Sequence, residues 1–406
     1  MPLSTALSSI LIFAATYLVL AIGRMPGLRV DRTGAAIIGA TLMVAFNVLS
    51  VEDAVAAINT DTILLLFGMM IVVANLRLSG FFALVAEWVV GHAHRPLVLL
   101  AMIVIVSGVF SAFFVNDTMC LVLTPLVLEI TTQLRRNPIP YLLAVAMASN
   151  IGSVATVTGN PQNMLIASFS GIPYRGFAAA LSPVAVVGLA AVVAIIALFY
   201  RSEFLGAAPR VMIQPPVVRV HRGLVWKSVI ASACMIVLFF LGFPIAKVAL
   251  VTGALLLVTR RVKPERIYAE IDWSLLVLFI GLFIVVRGVE KTSLSADLFA
   301  LASRLHLERT AVMSAFAAVL SNIVSNVPAV LVFRPFIPHL ARPIHAWLTL
   351  AMSSTLAGNL TVLGSVANLI VIQRARHKVK ITFWEYARVG APLTVLTIAI
   401  GVLLVP

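Results

Sequence analysis

Long apolar runs separated by short polar connections dominate this chain. A helix needs about 20 predominantly apolar residues to cross the hydrocarbon core of a bilayer. Runs of this kind predict ten spans, near residues 5–23, 33–49, 62–78, 140–170, 181–200, 223–242, 244–259, 273–289, 343–373 and 384–405. The pattern therefore predicts an all-α polytopic membrane protein.

Polar and helix-breaking residues interrupt two of these runs. The first interruption covers residues 152–163 and contains Thr-Gly-Asn-Pro, and the second covers residues 358–368. Pro removes a backbone donor and Gly weakens a helix, so each interruption predicts a helix that is broken near the membrane midplane. Simple Gly/Pro kinks are also frequent in membrane helices, which remains an alternative for either run taken alone.

The two interruptions belong to a larger internal repeat. Asn116 recurs as Asn326 at an offset of 210, Ser149 recurs as Ser354 at an offset of 205, and the apolar run from Leu65 recurs 213 residues later. Three blocks in the same order indicate a duplicated unit. Interrupted segments at corresponding positions of two copies are the best sequence indication of a transporter's binding site.

The basic residues predict how the copies are oriented. Lys and Arg concentrate in cytoplasmic loops, so Arg29 and Arg32 place the first loop inside and the N-terminus outside. The apolar stretch 97–133 lies between Arg95 and Arg136, which are both inside only if the stretch enters and returns on one face. It is therefore predicted as a re-entrant hairpin with its tip at Asn116-Asp117-Thr118.

A second hairpin is predicted over residues 308–341, with its tip at Ser325-Asn326-Val327. Each half then has five transmembrane helices plus one re-entrant hairpin, and the odd number of spans inverts the second half relative to the first. Both termini are expected outside the plasma (inner) membrane. The predicted ranges are 1–200 for the first inverted repeat, 201–222 for a cytoplasmic loop, and 223–406 for the second inverted repeat.

Composition supports this assignment and excludes several other classes. Of the 406 residues, 61% are hydrophobic and only 11% are charged, which is not the composition of a water-soluble domain. The net charge of +14 lies in short loops beside apolar runs, as expected for cytoplasmic loops and not for a nucleic-acid partner. No phosphate-binding loop, metal-ligand spacing or nucleophile–base arrangement is visible, so neither an enzyme nor a cofactor is expected.

Hydroxyl and amide side chains in the tips and interruptions are the predicted solute ligands. They are Asn116, Thr118, Thr156, Asn160, Asn163, Asn326, Asn359, Thr361 and Asn368, with Gly159 and Gly364 beside them. Asp117 is the one carboxylate predicted deep in the membrane and is assigned the coupling proton, unless the tip reaches water at the cytoplasmic surface. Arg334 could attract an anion or neutralise Asp117, but the favoured interpretation is that its side chain extends toward the outer surface.

These segments resemble the ion transporter superfamily over nearly the whole chain. The resemblance rests on FFVNDT, SNIGSVATVTGNPQN, SNVPAV and AGNLTVLGSVANLIV. The superfamily includes arsenite permeases, sodium/dicarboxylate symporters and NhaD-type sodium/proton antiporters. The resemblance implies an elevator-type transporter, with a mobile transport domain at 97–200 plus 308–406 and a scaffold at 1–96 plus 223–307.

Within that group the chain looks most like the arsenical pump membrane proteins, because of its F-x-N-D tip and its AGNLT-x-x-GS-x-AN run. The dicarboxylate branch carries Ser-Asn-Thr at both tips, whereas these tips read Val115-Asn116-Asp117 and Ser325-Asn326-Val327. The leading hypothesis is therefore proton-coupled efflux of arsenite or antimonite. A dicarboxylate-type anion symporter and a sodium/proton antiporter are the alternatives. A homodimer and a docked ATPase subunit both remain open.

Overall fold

The computed structural model describes residues 3–23, 27–93, 95–205, 220–259, 261–291 and 306–406. Most of the loop predicted at 201–222, and part of the scaffold range near 292–305, lie outside the described residues. Every regular element in the described ranges is a helix. The chain is therefore an all-helical, multi-pass membrane protein, as the apolar runs predict.

The described residues form twenty α-helices, which we number in chain order. They are α1 (Leu3–Ile22), α2 (Arg32–Ala45), α3 (Val51–Ala56), α4 (Thr60–Ser79), α5 (Phe81–His92), α6 (Pro96–Phe113), α7 (Asn116–Gln133), α8 (Pro138–Ser153), α9 (Pro161–Ser170), α10 (Tyr174–Phe199), α11 (Arg201–Leu205), α12 (Arg222–Phe240), α13 (Ile245–Leu257), α14 (Pro264–Tyr268), α15 (Trp273–Glu290), α16 (Thr310–Val324), α17 (Asn326–Phe333), α18 (Pro343–Ala357), α19 (Val366–Ala375) and α20 (Phe383–Leu404).

Seven of these helices are long and apolar enough to cross a membrane: α1, α4, α6, α10, α12, α15 and α20. Two of the ten predicted spans are shorter than expected, since α2 has 14 residues and α13 has 13. Helix α2 ends at Ala45, and Asn47 two residues later has a left-handed φ of 54°, a conformation that Asn tolerates better than most residues.

Among the described helices of ten or more residues, α5 alone was not predicted. Residues between the third span and Arg95 were expected to form a connection, but Phe81–His92 is helical. Gly80, with a φ of 87°, ends α4 in a left-handed cap, and α5 begins at the next residue. The helix buries Phe82, Ala86 and Val89 and exposes Trp88. A criterion of about 20 apolar residues could not detect so short an element.

Both predicted hairpins contain a break at the predicted tip. Helices α6 and α7 are separated by Phe114 and Val115, and each has 18 residues. Helices α16 and α17 are separated by Ser325 alone, with arms of 15 and 8 residues. Ser325 has a φ of 79°, which is unusual for a residue with a side chain and marks an abrupt reversal of the backbone.

Helix packing divides into two groups. The first contains α1, α2, α4, α12, α13 and α15, and the second contains α6 to α10 together with α16 to α20. Contacts between the groups run through α1 and α16, α4 and α9, α10 and α12, and α15 and α17. The hairpin tips and both interrupted helices belong to the second group.

Within the first group, the two halves of the chain make the same contact twice. Gly68 of α4 packs against the backbone of Ala249, and Gly281 of α15 packs against the backbone of Ala36. A Cβ at Gly68 would lie 2.6 Å from the Ala249 carbonyl carbon, and one at Gly281 would lie 2.8 Å from that of Ala36. Both pairs are related by an offset of 213 residues. Small residues thus let each pair of helices approach closely, as is common in membrane proteins.

Candidate solute-binding site

The two interrupted helices have the same local form. Helix α8 ends at Ser153 and α9 begins at Pro161, with a 3₁₀ turn at Val157–Gly159 between them. In the second half, α18 ends at Ala357 and α19 begins at Val366, with a 3₁₀ turn at Val362–Gly364. The residue before each turn has nearly identical dihedral angles, with φ −138° in both cases and ψ 166° or 167°.

One asparagine in each half holds the unwound backbone. The Asn163 amide donates to the carbonyl oxygens of Ser153 at 3.0 Å and Thr156 at 2.9 Å. The Asn368 amide donates to the carbonyl oxygens of Gly358 at 2.7 Å and Thr361 at 3.0 Å. Every residue of the second set lies 205 positions after its counterpart. These contacts satisfy carbonyls that the broken helices would otherwise leave unpaired.

Asn150 joins the two halves. Its side chain is 1% exposed, and its Nδ2 donates to the side-chain oxygens of Asn359 at 2.9 Å and Asn368 at 3.0 Å. Its Oδ1 accepts from the Asn116 amide at 3.0 Å and from the Ser365 hydroxyl at 3.1 Å. One buried amide of α8 therefore links the first hairpin tip to the interrupted helix of the other half.

A reciprocal but weaker link runs through Thr355, which occupies the position 205 residues after Asn150. Its hydroxyl oxygen accepts from the Gln162 amide at 3.1 Å and from the Asn160 amide at 3.3 Å. The Asn160 Oδ1 also accepts from the Asn163 backbone N–H at 2.8 Å and so caps α9. Each half thus binds the interrupted segment of the other.

A cavity of about 110 Å³ lies where these parts meet. Both hairpin tips contribute to its wall, as do the N-terminal ends of α9 and α19 and residues of α1, α2 and α15. Its polar or charged lining residues are Arg32, Asn116, Asp117, Gln162, Ser325, Asn326 and Ser365. Helix N-termini present free backbone N–H groups, so two of them at one cavity favour a solute that carries oxygen atoms.

Asp117 and Arg32 are the charged residues among those lining this cavity. Asp117 lies near the N-terminal end of α19, where the Ala367 N–H donates to the Ser365 hydroxyl oxygen at 3.2 Å and where the helix dipole favours negative charge. Arg32 is half-buried, and its guanidinium donates to the Leu20 carbonyl oxygen at 3.1 Å and to the Ser325 hydroxyl at 3.2 Å. The cavity therefore combines one acidic and one basic group.

The structure separates the predicted ligands into two sets. Asn116, Asp117, Asn326 and Gly364 line the cavity. The others lie outside its wall, and most of these have polar contacts within the framework that supports it: Thr156, Gly159, Asn160, Asn163, Asn359, Thr361 and Asn368. Thr118 is half-buried and is not part of the cavity wall. Amide and hydroxyl side chains of an interrupted helix can thus stabilise its unwound backbone instead of binding the solute.

Arg334 does not approach the cavity, contrary to one of the roles considered from sequence. Its guanidinium pairs with Glu290 at 3.4 Å and lies over the Phe169 ring at 4.5 Å. Arg32, which the sequence indicated only as a cytoplasmic loop charge, lines the cavity instead. Asn150 was also missed, although it stands inside the repeated block from Ser149.

A second cavity, of about 520 Å³, also adjoins the first interrupted helix. It is lined by Val157, Met164 and Tyr174, and its charged residues are Asp61 and Lys247. Neither hairpin tip nor the second interrupted helix reaches it. The smaller cavity is the better candidate site because both halves of the repeat converge there. Among the described residues, no group of three or more His, Cys, Asp or Glu could hold a metal ion.

Comparison with known proteins gives a consistent result over the whole chain. Residues 17–357 match the family described as citrate transporters. A silicon efflux transporter of Oryza sativa subsp. japonica is 30% identical over 453 residues, covering 94% of this chain and 93% of that one. A Dictyostelium discoideum protein with the transporter name arsB is 25% identical, covering 92% of this chain and 87% of its own.

The crystal structure of the Alcanivorax borkumensis YdaH transporter has a similar fold. Its TM-score is 0.61 at 15% sequence identity, and the alignment covers 98% of this chain and 96% of that chain. At this identity the likeness concerns the fold alone. It places the helices of this chain in a membrane-transporter architecture without indicating a solute.

Proposed function

Because the chain belongs to the citrate transporter family, whose members are membrane transporters and not enzymes, we propose that it is a proton-coupled exporter of arsenite and antimonite. The charge balance of the cavity carries this proposal, since Asp117 and Arg32 contribute one charge of each sign. A solute with two or three carboxylates would bring negative charges that Arg32 alone does not match, and unpaired charge is costly away from water. An uncharged hydroxide brings no such cost.

The names of two relatives point to the same solute chemistry. One is a silicon efflux transporter and the other carries the name arsB. Dissolved silicon and trivalent arsenic are both uncharged hydroxides at neutral pH. Such molecules donate and accept hydrogen bonds through hydroxyl groups, which suits the amide, hydroxyl and backbone groups around the cavity.

The size of the cavity also favours a small solute. A cavity needs about 10–15 Å³ to hold one water molecule. The cavity at the hairpin tips has about 110 Å³. A central atom with three hydroxyl groups fits within that space, while a tricarboxylate fills it or exceeds it. The cavity in this conformation therefore supports arsenite or antimonite over citrate.

Asp117 is the proposed proton carrier. It is the acidic residue of the cavity wall, and it shares that wall with Ser365 and Val366 at the N-terminal end of α19. Protonation of Asp117 would remove the negative charge that the N-terminal end of α19 stabilises. Proton binding would therefore change the interaction between the first hairpin tip and α19 of the other half. Carboxylates within membrane proteins commonly serve proton transfer for this reason.

We further propose that transport uses two inverted repeats and an elevator-type motion. The reciprocal Gly68–Ala249 and Gly281–Ala36 contacts are those expected of two copies related by a pseudo-two-fold axis. The helix group with the tips and interrupted helices would form the transport domain, 97–200 plus 308–406. It would move against the scaffold, 1–96 plus 223–307. The cavity adjoins Arg32 and α15, beside loops predicted to be cytoplasmic, so we assign it to the inward-facing state.

An anion symporter is the second candidate, because Arg32 and two helix N-termini are groups that would attract a carboxylate. Transport into everted membrane vesicles with an acidic lumen separates the two functions. We expect accumulation of arsenite, competition by antimonite, and no effect of sodium at constant pH. Sodium-dependent citrate uptake without arsenite transport would instead identify the anion symporter.

The role of Asp117 is tested in the same vesicles. Asp117→Asn keeps the size of the side chain but cannot release a proton, so accumulation driven by the pH gradient should be lost while arsenite counterflow persists. Asp61→Asn is the matched control, because Asp61 lines the other cavity. Full pH-driven accumulation by Asp117→Asn would contradict the assignment.

A further inference from the structure

Arg32 holds an unusual position between the two helix groups. It is the first residue of α2, in the first group, yet its Nη1 donates to the hydroxyl of Ser325 at the second hairpin tip. Its Nε is held by the Leu20 carbonyl oxygen of α1. The first helix group thus anchors the guanidinium, which reaches the hairpin tip of the second helix group.

The guanidinium also retains unused binding capacity. An arginine has five N–H donors, and the described residues accept hydrogen bonds from Nε and from Nη1. Within the described ranges, no carboxylate lies within 4.0 Å of its nitrogen atoms to form an ion pair. A half-buried cation with free donors at a cavity wall is suited to binding the oxygen atoms of a solute.

The same cavity wall also contains acceptors for the hydroxyl groups of a solute. Asn116 is 3% exposed, and its Oδ1 is buried with no hydrogen-bond partner in the described part of the chain. Asp117, beside it, supplies a carboxylate. A hydroxylated solute could therefore donate to Asn116 and Asp117 while accepting from Arg32.

We propose that Arg32 is a solute-binding and specificity-determining residue, which binds solute oxygen atoms and, through Ser325, keeps the second hairpin tip beside the bound solute. The inference rests on the proposed function in that it takes the tip cavity as the transport site. It adds a binding residue from outside the tips and interrupted helices, and it predicts that solute affinity depends on the planar guanidinium.

The test compares four variants in reconstituted proteoliposomes. Arg32→Gln removes the charge, and Arg32→Lys keeps the charge but loses the planar fork of donors. Arg29→Gln removes an exposed charge from the same loop. Tyr17→Phe removes a different contact to the same tip, the hydrogen bond from the Tyr17 hydroxyl to the Pro328 carbonyl oxygen at 3.1 Å.

We expect Arg32→Gln to raise KM about 10–100-fold with Vmax within about twofold, as for the loss of hydrogen bonds to a charged group. Arg32→Lys should raise KM by a smaller factor, whereas Arg29→Gln and Tyr17→Phe should leave KM within about twofold of the wild type. A KM for Arg32→Gln no higher than that for Arg29→Gln would overturn the proposal. So would a loss of Vmax at unchanged KM, because that result indicates a purely structural role.

The experiment separates failure of this inference from failure of the proposed function. The KM ratio is measured with whichever solute the wild-type protein transports, arsenite or citrate. Citrate transport with a raised KM in Arg32→Gln would reject the arsenite proposal and retain the role of Arg32. If Arg32→Gln does not fold, an unchanged KM in the folded Arg32→Lys variant would itself overturn the inference, since lysine cannot reproduce the arginine geometry.

Discussion

Replacement of Asn150 by alanine should destabilise the protein more than replacement of a buried asparagine that bonds only within its own helix. The Asn150 side chain makes four hydrogen bonds, with Asn116, Asn359, Asn368 and Ser365. In the described part of the chain, Asn150 is the sole partner of the Asn359 and Asn368 side-chain oxygens and of the Asn116 amide nitrogen. Asn150→Ala therefore leaves three buried polar atoms without partners.

The size of the effect can be bounded from hydrogen-bond energies. Side-chain hydrogen bonds inside membrane proteins average about 0.6 kcal/mol, so four contribute about 2.4 kcal/mol. Leaving buried donors and acceptors unpaired raises the cost, because each unpaired group loses about 1–3 kcal/mol of solvation. Since neighbouring groups relax together, we expect a total loss of about 2–5 kcal/mol in the free energy of unfolding.

Asn75→Ala is the matched control. Asn75 is fully buried in α4, but among the described residues its amide donates only to the Ile71 carbonyl oxygen of its own helix, at 2.9 Å. Loss of this one local bond should cost about 1 kcal/mol or less. Reversible unfolding in mixed micelles with a rising fraction of sodium dodecyl sulfate measures both variants. If Asn150→Ala and Asn75→Ala differ by less than about 0.5 kcal/mol, the link between the halves does not contribute to stability as argued.

Two further predictions concern the first helix group and an ion pair at its edge. Gly68→Val should lower Tm and the yield of folded protein, with a loss of about 1–3 kcal/mol in the free energy of unfolding, because its Cβ would meet the Ala249 backbone. Gly91→Ala is the control: a Cβ there meets no atom of the described residues within 4 Å, so Tm should be unchanged. A hydrogen bond from Lys291, with a second from Ser50, holds the pKa of Asp53 below its usual value. The stabilisation from this pair is present at neutral pH and is lost as pH falls through the lowered pKa. The Tm of Lys291→Gln should therefore be below that of the wild type near neutral pH and approach it in acid, and a difference that grows in acid would contradict the assignment.

Local sequence determined where the helices run and where they break. The Asn160-Pro161 step, with Gly159 before it, predicts an interruption, and α9 begins at Pro161. The tips at Asn116 and Asn326 are predicted from polar residues inside apolar stretches, and each residue begins a helix after a break. These features could be read from the chain because they follow from the backbone preferences of a few adjacent residues.

Membership of a transporter family could also be recognised from the motifs alone, because they extend over nearly the whole chain. The repeat identified equivalent residues such as Asn163 and Asn368. It did not indicate that their amides bind the backbone of their own loops. An amide side chain has the same composition whether it binds a solute or a carbonyl group, so its role depends on what lies within about 3 Å of it.

Tertiary structure alone decided which residues meet at the cavity. Asn150 contacts Asn359 and Asn368 more than 200 residues away, and Arg32 meets Ser325 almost 300 residues away. The role considered for Arg334 depended on the packing of α15 and α17, which directs it to Glu290. Helix periodicity and motif spacing describe the faces of single segments, whereas these pairings are set by how the two halves of the chain pack together, which no local pattern records.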